Sequence, residues 1–336
     1  MKEHAMDQPI NSTKALEIIA AIHEEVSKVV VGQLPLLEKL LNAVLADGHV
    51  LLEGAPGLAK TQLVMALGKA TGGNFRRVQL LPDMMPSDIT GTLIYNPDKH
   101  CFHVQKGPLI GAHFLLADEI NRTPPKVQAA FLQAMQEREV TLDNETYGLN
   151  DPFMVLATQN PIEEEGTYPL PEAQLDRFLF KLLVTYPEET DELRLLDLPT
   201  LDQRNPLRAV ETVATPAQLV ALREHIREMI YVSEQMKRYI VRLVRATRHP
   251  ELYAGLQDLR DKIRLGASPR GGTMNLRKAC RVQAFLHRRT YVLPDDVKAL
   301  APDVLRHRIL LDFRAEAAGL TPEDVIEQIL EKVEIP

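Results

Sequence analysis

The stretch Gly54-Ala55-Pro56-Gly57-Leu58-Ala59-Lys60-Thr61 joins an apolar run, HVLLE at 49–53, to a helical pattern that opens through Gln62. Its glycines let successive backbone N–H groups converge on one point, and the positive end of the following helix faces the same point. Polyanionic phosphate is the ligand such a loop favours. Lys60 would reach the outer phosphates, and the Thr61 hydroxyl would hold a divalent cation beside them. The usual pattern puts glycine before the lysine, where this chain has Ala59. A methyl fits there if that residue already has helical backbone angles. A second apolar run, Phe114-Leu115-Leu116-Ala117, ends in the paired carboxylates Asp118 and Glu119. At a strand's carboxyl end Asp118 can hold Mg²⁺, and Glu119 can act as general base toward an attacking water. A third run ends in Gln159-Asn160-Pro161, where Asn160 could orient that water and contact the outermost phosphate. Arg177 and Arg270 complete the set, because an arginine brought to a transferring phosphoryl group can raise the rate by several orders of magnitude. Spacing alone does not say which of the two would act on a second copy of the chain.

These residues need a scaffold, and the pattern of the chain supplies one. Short apolar segments at 49–53, 75–80, 113–118, 153–158 and 178–184 alternate with helical patterns such as Lys60 to Ala70 and Lys126 to Glu137. Strands alternating with helices predict an α/β fold with a parallel sheet covered on both faces. Ahead of it, residues 12–46 read as two helices broken near Val31-Gly32-Gln33. Past Tyr186-Pro187 the pattern changes to an acidic, Pro-containing stretch and then to helices, beginning at Thr215-Pro216, which reads as a cap followed by Pro at the first helical position. The expected division is an α/β core over 1–187, a linker over 188–210 and an all-helical domain over 211–336.

Composition narrows the setting. With 45% hydrophobic and 25% charged residues, the 336-residue chain has material for a sizeable core without staples. Its two cysteines, Cys101 and Cys280, form no CxxC pair, so a reducing, cytoplasmic setting is expected. No signal-like or eighteen-residue apolar run occurs, so no membrane span is expected. His100, His103 and His113 have spacing that fits no metal site. The net charge of −7 conceals an asymmetry: residues 204–314 carry 22 Lys and Arg against 11 Asp and Glu, leaving the remainder strongly acidic. Opposed charge can steer copies or partners together. The basic part lacks aromatic interleaving, so nucleic acid is not the expected partner.

The segments EGAPGLAKT (53–61), RVQLLPDMMPSDITG (77–91), LLADEINRTPPKVQAAFLQAMQEREVTL (115–142), LATQNPIEEEGTYPLPEAQLDRF (156–178) and GASPRGG (266–272) occur in this order. Together they resemble the MoxR family of AAA+ ATPases over nearly the whole chain, and that family itself carries alanine before the Walker A lysine. The resemblance implies an AAA+ core with strand order 5-1-4-3-2 and a C-terminal helical lid. It matches Lys60 and Thr61 to Walker A, Asp118 and Glu119 to Walker B, and Asn160 to sensor 1. Arg177 matches the arginine finger that acts on a neighbour, and Arg270 matches sensor 2, reaching from the lid to its own subunit's nucleotide. Val30, Val31, Gly32 and Gln33 match the adenine-cradling stretch. Residues 82–110 resemble the family's helix-two insert, and 137–152 its pre-sensor-1 hairpin.

The resemblance further implies ATP and Mg²⁺ as cofactors, a homo-oligomeric ring of six, and a client or adaptor that often carries a von Willebrand A domain. Hydrolysis would remodel that client, in a chaperone, maturation or metal-insertion role, with the lid rotating as Arg270 loses its phosphate partner. The magnesium chelatase ATPase subunit shares these inserts and is the alternative within the class. A non-hydrolysing, nucleotide-gated scaffold is the alternative from another class, and an intact Glu119 argues against it.

Overall fold

Runs of β-branched and aliphatic residues form strands here because helices cover them on both sides, so each can be apolar on both faces. The computed structural model describes residues 11–30, 32–54, 60–159, 167–186, 188–196 and 206–335. In chain order the first elements are α1 (Ser12–Ser27), α2 (Leu34–Leu45), β1 (Val50–Gly54), α3 (Lys60–Ala70), β2 (Phe75–Gln79), α4 (Pro86–Thr90), β3 (Gly91–Asn96) and β4 (Cys101–Lys106). Next come β5 (Phe114–Asp118), α5 (Pro125–Glu137), β6 (Glu139–Leu142), β7 (Glu145–Gly148), β8 (Met154–Gln159), α6 (Glu172–Leu175), β9 (Phe180–Val184) and α7 (Glu189–Leu196). The C-terminal part holds α8 (Pro216–Met229), α9 (Glu234–Ala246), β10 (Ile263–Leu265), α10 (Asn275–Leu286), α11 (Pro294–Leu305), β11 (Leu310–Leu311), α12 (Phe313–Ala317) and α13 (Pro322–Lys332).

Strands β2-β5-β8-β1-β9 form one five-stranded parallel sheet. Counted along the core this is the order 5-1-4-3-2 that the resemblance implies. Successive side chains alternate between its faces. Val50, Leu52, Leu116, Leu156 and Leu182 join α1, α2 and α3 in one apolar cluster. Leu51, Leu115, Ala117, Val155 and Ala157 pack on Phe131, Leu132 and Met135 of α5 in the other. The first cluster does not stop at the sheet domain: it continues through Leu222, Ile226, Leu243, Ala279 and Leu300 of the C-terminal helices. Buried His49 ties the start of β1 to its neighbours, accepting from Val155 N at 3.1 Å and lying 3.3 Å from the Met135 carbonyl.

The helix starts follow their capping chemistry. Asn11 caps α1 by accepting from Lys14 N at 2.9 Å, and Thr215 with Gln218 forms a capping box on α8 ahead of Pro216. Two antiparallel hairpins, β3–β4 and β6–β7, project from the sheet domain. Two features depart from expectation. Part of the stretch read as a linker is the helix α7, whose first turn carries Glu189, Asp191 and Glu192, charges that favour a helix N-terminus. The helical part also contains a short antiparallel ladder, β10–β11, where chain segments distant in sequence pair.

Candidate active site

β1, β5 and β8 all end at one edge of the sheet, the edge where open α/β sheets receive ligands. Gly54 closes β1, and the loop residues Ala55, Pro56, Gly57, Leu58 and Ala59 lie outside the described residues, as do Val31 and Asn160. Gly54 must lack a side chain, since a Cβ there would fall 2.3 Å from the Val184 carbonyl oxygen. Beyond the loop, Lys60 opens α3, and its Nζ donates to the Gly54 carbonyl at 2.7 Å. Burial lowers the pKa of Lys60, while the charges of Asp118 and Glu53 oppose that shift, so the lysine and Asp118 share one electrostatic neighbourhood. Thr61 and Gln62 follow in the first turn, and Gln62 Nε2 donates to the Val29 carbonyl at 2.9 Å. That bond draws the start of α3 to the stretch containing buried Val30, and Gly32 holds a left-handed φ of 75° before Gln33 and α2.

The two carboxylates are held separately. Asp118 is buried, accepting from Arg77 Nε at 2.6 Å on one oxygen and from the Thr158 hydroxyl at 3.3 Å on the other. Glu119 has left-handed backbone angles, φ 59° and ψ 52°, a conformation that costs a non-glycine residue about 1–2 kcal/mol. Its N–H donates to Thr158 Oγ1 at 2.9 Å, and its carboxylate receives Gln79 Nε2 and Arg122 Nε, each at 3.0 Å. Thr158 of β8 thus fixes the turn in which β5 ends, and the strain there is matched by a hydrogen bond at each end of Glu119. Arg77, Gln79, Arg122 and Thr158 were not anticipated as site residues. The one signal available was that Arg77 and Gln79 are two apart in a strand, and so share a face.

Hard oxygen donors suit Mg²⁺, which takes one or two protein oxygens and completes its shell with phosphate and water. Asp118 and Thr61 are the two oxygen donors that would hold it, and the described residues hold no group of three or more His, Cys, Asp or Glu that would suit a metal caged by protein alone.

The arginines lie elsewhere. β9 runs parallel to β1 with Phe180 level with Val50 and Val184 level with Gly54. The strand spans roughly 13 Å between those levels, and Arg177 precedes its start. Arg177 Nε donates to Gln136 Oε1 at 3.0 Å, at the far end of α5 from Glu119. Exposed Arg270 sits in the helical turn Pro269–Met274, which is fastened to this same region: the Ser268 hydroxyl donates to Asp176 Oδ2 at 3.1 Å. The turn that carries Arg270 is therefore held beside Arg177, near the start of β9 and away from the strand end where Asp118 lies.

Fold and site together define an ATPase of the AAA class. Residues 49–180 match the ATPase family associated with various cellular activities, and residues 257–329 match the AAA lid domain. The chain is 45% identical to Chaperone MoxR1 of Mycobacterium tuberculosis over 312 residues, covering 93% of this chain and 81% of that protein. It is 32% identical to Protein MoxR of Methylorubrum extorquens over 330 residues, covering 94% and 95% of the two. A crystal structure from Cytophaga hutchinsonii aligns with a TM-score of 0.90 at 45% identity across 97% of each chain. The chain belongs to the MoxR family of AAA+ ATPases. Among the described residues no helix is long and apolar enough to cross a membrane.

Proposed function

We propose that this ATPase hydrolyses ATP at seams between copies in a ring of six and uses the cycle to remodel a client protein. The observation that carries the reading is the separation of its machinery between opposite edges of one parallel sheet, with Lys60, Asp118 and Glu119 at one edge and Arg177 and Arg270 at the other. Neither arginine serves its own chain's phosphate loop, whereas a neighbour's edge can bring both to it. In this reading the amides of Gly54 through Ala59 and the Lys60 ammonium bind the phosphates, while Val30, Val31, Gly32, Gln33 and Gln62 line the nucleoside side. Thr61 and Asp118 hold Mg²⁺, which neutralises charge between the outer phosphates. Glu119 takes a proton from the water that Asn160 orients, and the neighbour's Arg177 and Arg270 meet the charge that develops on the terminal phosphoryl group.

The exposed pair Tyr95 and Phe102, tilted against each other with ring centroids 5.2 Å apart on the β3–β4 hairpin, supports a protein client, since adjacent exposed aromatics suit a protein contact. The name of the M. tuberculosis relative agrees with a chaperone role. The division into core, linker and lid at 187 and 210 belongs to the same reading.

The test is Glu119→Gln. It is expected to retain ATP while hydrolysis falls on the order of 10²- to 10⁴-fold, and a parental rate would show that another group is the base. In the parental protein, turnover per chain should rise with protein concentration. A rate independent of dilution, measured down to concentrations where light scattering sees monomer, would remove the shared site.

A further inference from the structure

Asp176 is gripped from the helical part of the molecule on both carboxylate oxygens and on its main-chain carbonyl. Its Oδ1 accepts from Arg308 Nε at 2.8 Å, its Oδ2 from the Ser268 hydroxyl at 3.1 Å, and its main-chain carbonyl from Arg308 Nη2 at 3.0 Å. Arg308 is 5% exposed and donates also to the Phe178 carbonyl at 2.5 Å, so one buried guanidinium organises the chain from 176 to 178. Burial pulls its pKa down to about 10 against the opposing pull of Asp176, and the arginine stays charged at neutral pH. The turn Pro269–Met274 is pressed just as closely. A Cβ on Gly271 would lie 1.7 Å from Asp176 Oδ1 and 2.5 Å from Arg308 Nε, so glycine alone permits this approach. The Ser268 hydroxyl ties the turn to itself as well, accepting from Gly271 N at 2.8 Å. Arg177 is the residue after Asp176, and Arg270 is the residue before Gly271.

We propose that Asp176 is a positioning residue that yokes Arg177 and Arg270, which come from different parts of the chain, into one cationic pair presented to the terminal phosphate of an adjacent copy. The inference rests on the reading above that these arginines act across a seam. The single negative charge of Asp176 is committed to Arg308, so it leaves the charge of the pair intact. What it supplies is geometry. Two cations held side by side repel each other and would spread if free. Fixing their backbones in advance removes the reorganisation that each would otherwise undergo when charge develops on the phosphoryl group. Without Asp176 the buried Arg308 would also lose its counter-charge, which makes the yoke part of the packing as well.

The experiment mixes two variants of the full chain. A donor, Glu119→Gln, cannot hydrolyse its own ATP but still offers both arginines, and an acceptor, Arg177→Ala, offers Arg270 without Arg177 but keeps its own base. The mixture is expected to hydrolyse ATP faster than either variant alone. Adding Asp176→Asn or Ser268→Ala to the donor should lower that rescue on the order of tenfold, the scale of one lost hydrogen bond to a charged group, and adding Arg270→Ala should lower it at least as much. Placing Asp176→Asn or Ser268→Ala in the acceptor instead should leave it unchanged. Ser268→Ala removes only a hydroxyl and guards against misfolding of the Asp176 variant, and Ser268→Thr should restore rescue. Equal loss in both placements would reduce Asp176 to a packing residue and overturn the yoke, as would no loss in either. An Arg270→Ala defect confined to the acceptor would return Arg270 to its own chain's nucleotide and overturn it too. If donor and acceptor show no rescue even unmodified, the shared-site reading itself falls and the yoke falls with it.

Discussion

Asp118 is a carboxylate with a cation already at hand. Arg77 Nε lies 2.6 Å from its Oδ2, and the arginine side chain is 52% exposed, so the pair is partly screened by water. A divalent ion at Asp118 must therefore compete with a guanidinium worth about 0.2–1 kcal/mol. Arg77→Ala is expected to lower the Mg²⁺ concentration for half-maximal hydrolysis by up to about fivefold. An unchanged or raised requirement in a magnesium titration would show that Arg77 assists rather than competes. Lys60, Asp118 and Glu119 were legible in the sequence because each follows a strand-like run, and strand ends converge in this fold class. Thr158 stood in plain view in its motif, yet its bonds to Asp118 and Glu119 arise only because β8 lies beside β5 in the sheet. Chain order does not reveal sheet order, and Arg77 and Gln79 escaped notice for the same reason, whereas Arg122 meets Glu119 only through the tight turn three residues on. Arg270 was legible as a residue, whereas the place of its turn beside Asp176 depends on how distant parts of the chain pack.

Among the elements, β1 has little freedom to change at its end. The backbone of Gly54 passes so close to β9 that an added Cβ would press on the Val184 carbonyl at 2.3 Å, against main chain that cannot rotate aside. Gly54→Ala should cost about 1–3 kcal/mol, read as a lower midpoint in urea, and should weaken nucleotide binding, because Lys60 anchors on that residue's carbonyl. A parental midpoint would mean that the two strands part without penalty. The β3–β4 hairpin behaves oppositely. Phe102 is 66% exposed at its surface, so Phe102→Ser should shift stability by no more than about 0.5 kcal/mol. A larger loss on thermal melting would show that the hairpin packs on something within the chain. Strand positions were readable from short apolar runs and helix starts from their caps. The helix Glu189–Leu196 was not, because few apolar residues mark it and its acidic turn reads equally as solvated loop.

At the scale of the molecule, two histidines sealed inside give stability a defined pH dependence. Burial lowers the pKa of His49 to about 3, and burial with the adjacent Arg308 holds His307 well below its ordinary value. Both are neutral in the folded chain near neutrality. Below about pH 6.5 the unfolded chain takes up protons that the folded chain refuses, so stability is full above that value and falls as the pH drops. Each histidine should cost about 1.4 kcal/mol at about pH 5.5. Urea midpoints at about pH 7.5 and 5.5 should show the drop, and His49→Gln should show a smaller one. Equal midpoints would mean that these rings meet water. The apolar cluster that runs from α1, α2 and α3 into Leu222, Ile226 and Leu300 bears on how this protein can be cut and rebuilt. A fragment ending after β9 would leave bare the greasy flank those helices shelter, and it would clump rather than survive as a free-standing module. Anyone wishing to swap the tail of this chain onto another ATPase must therefore graft the first two helices along with it.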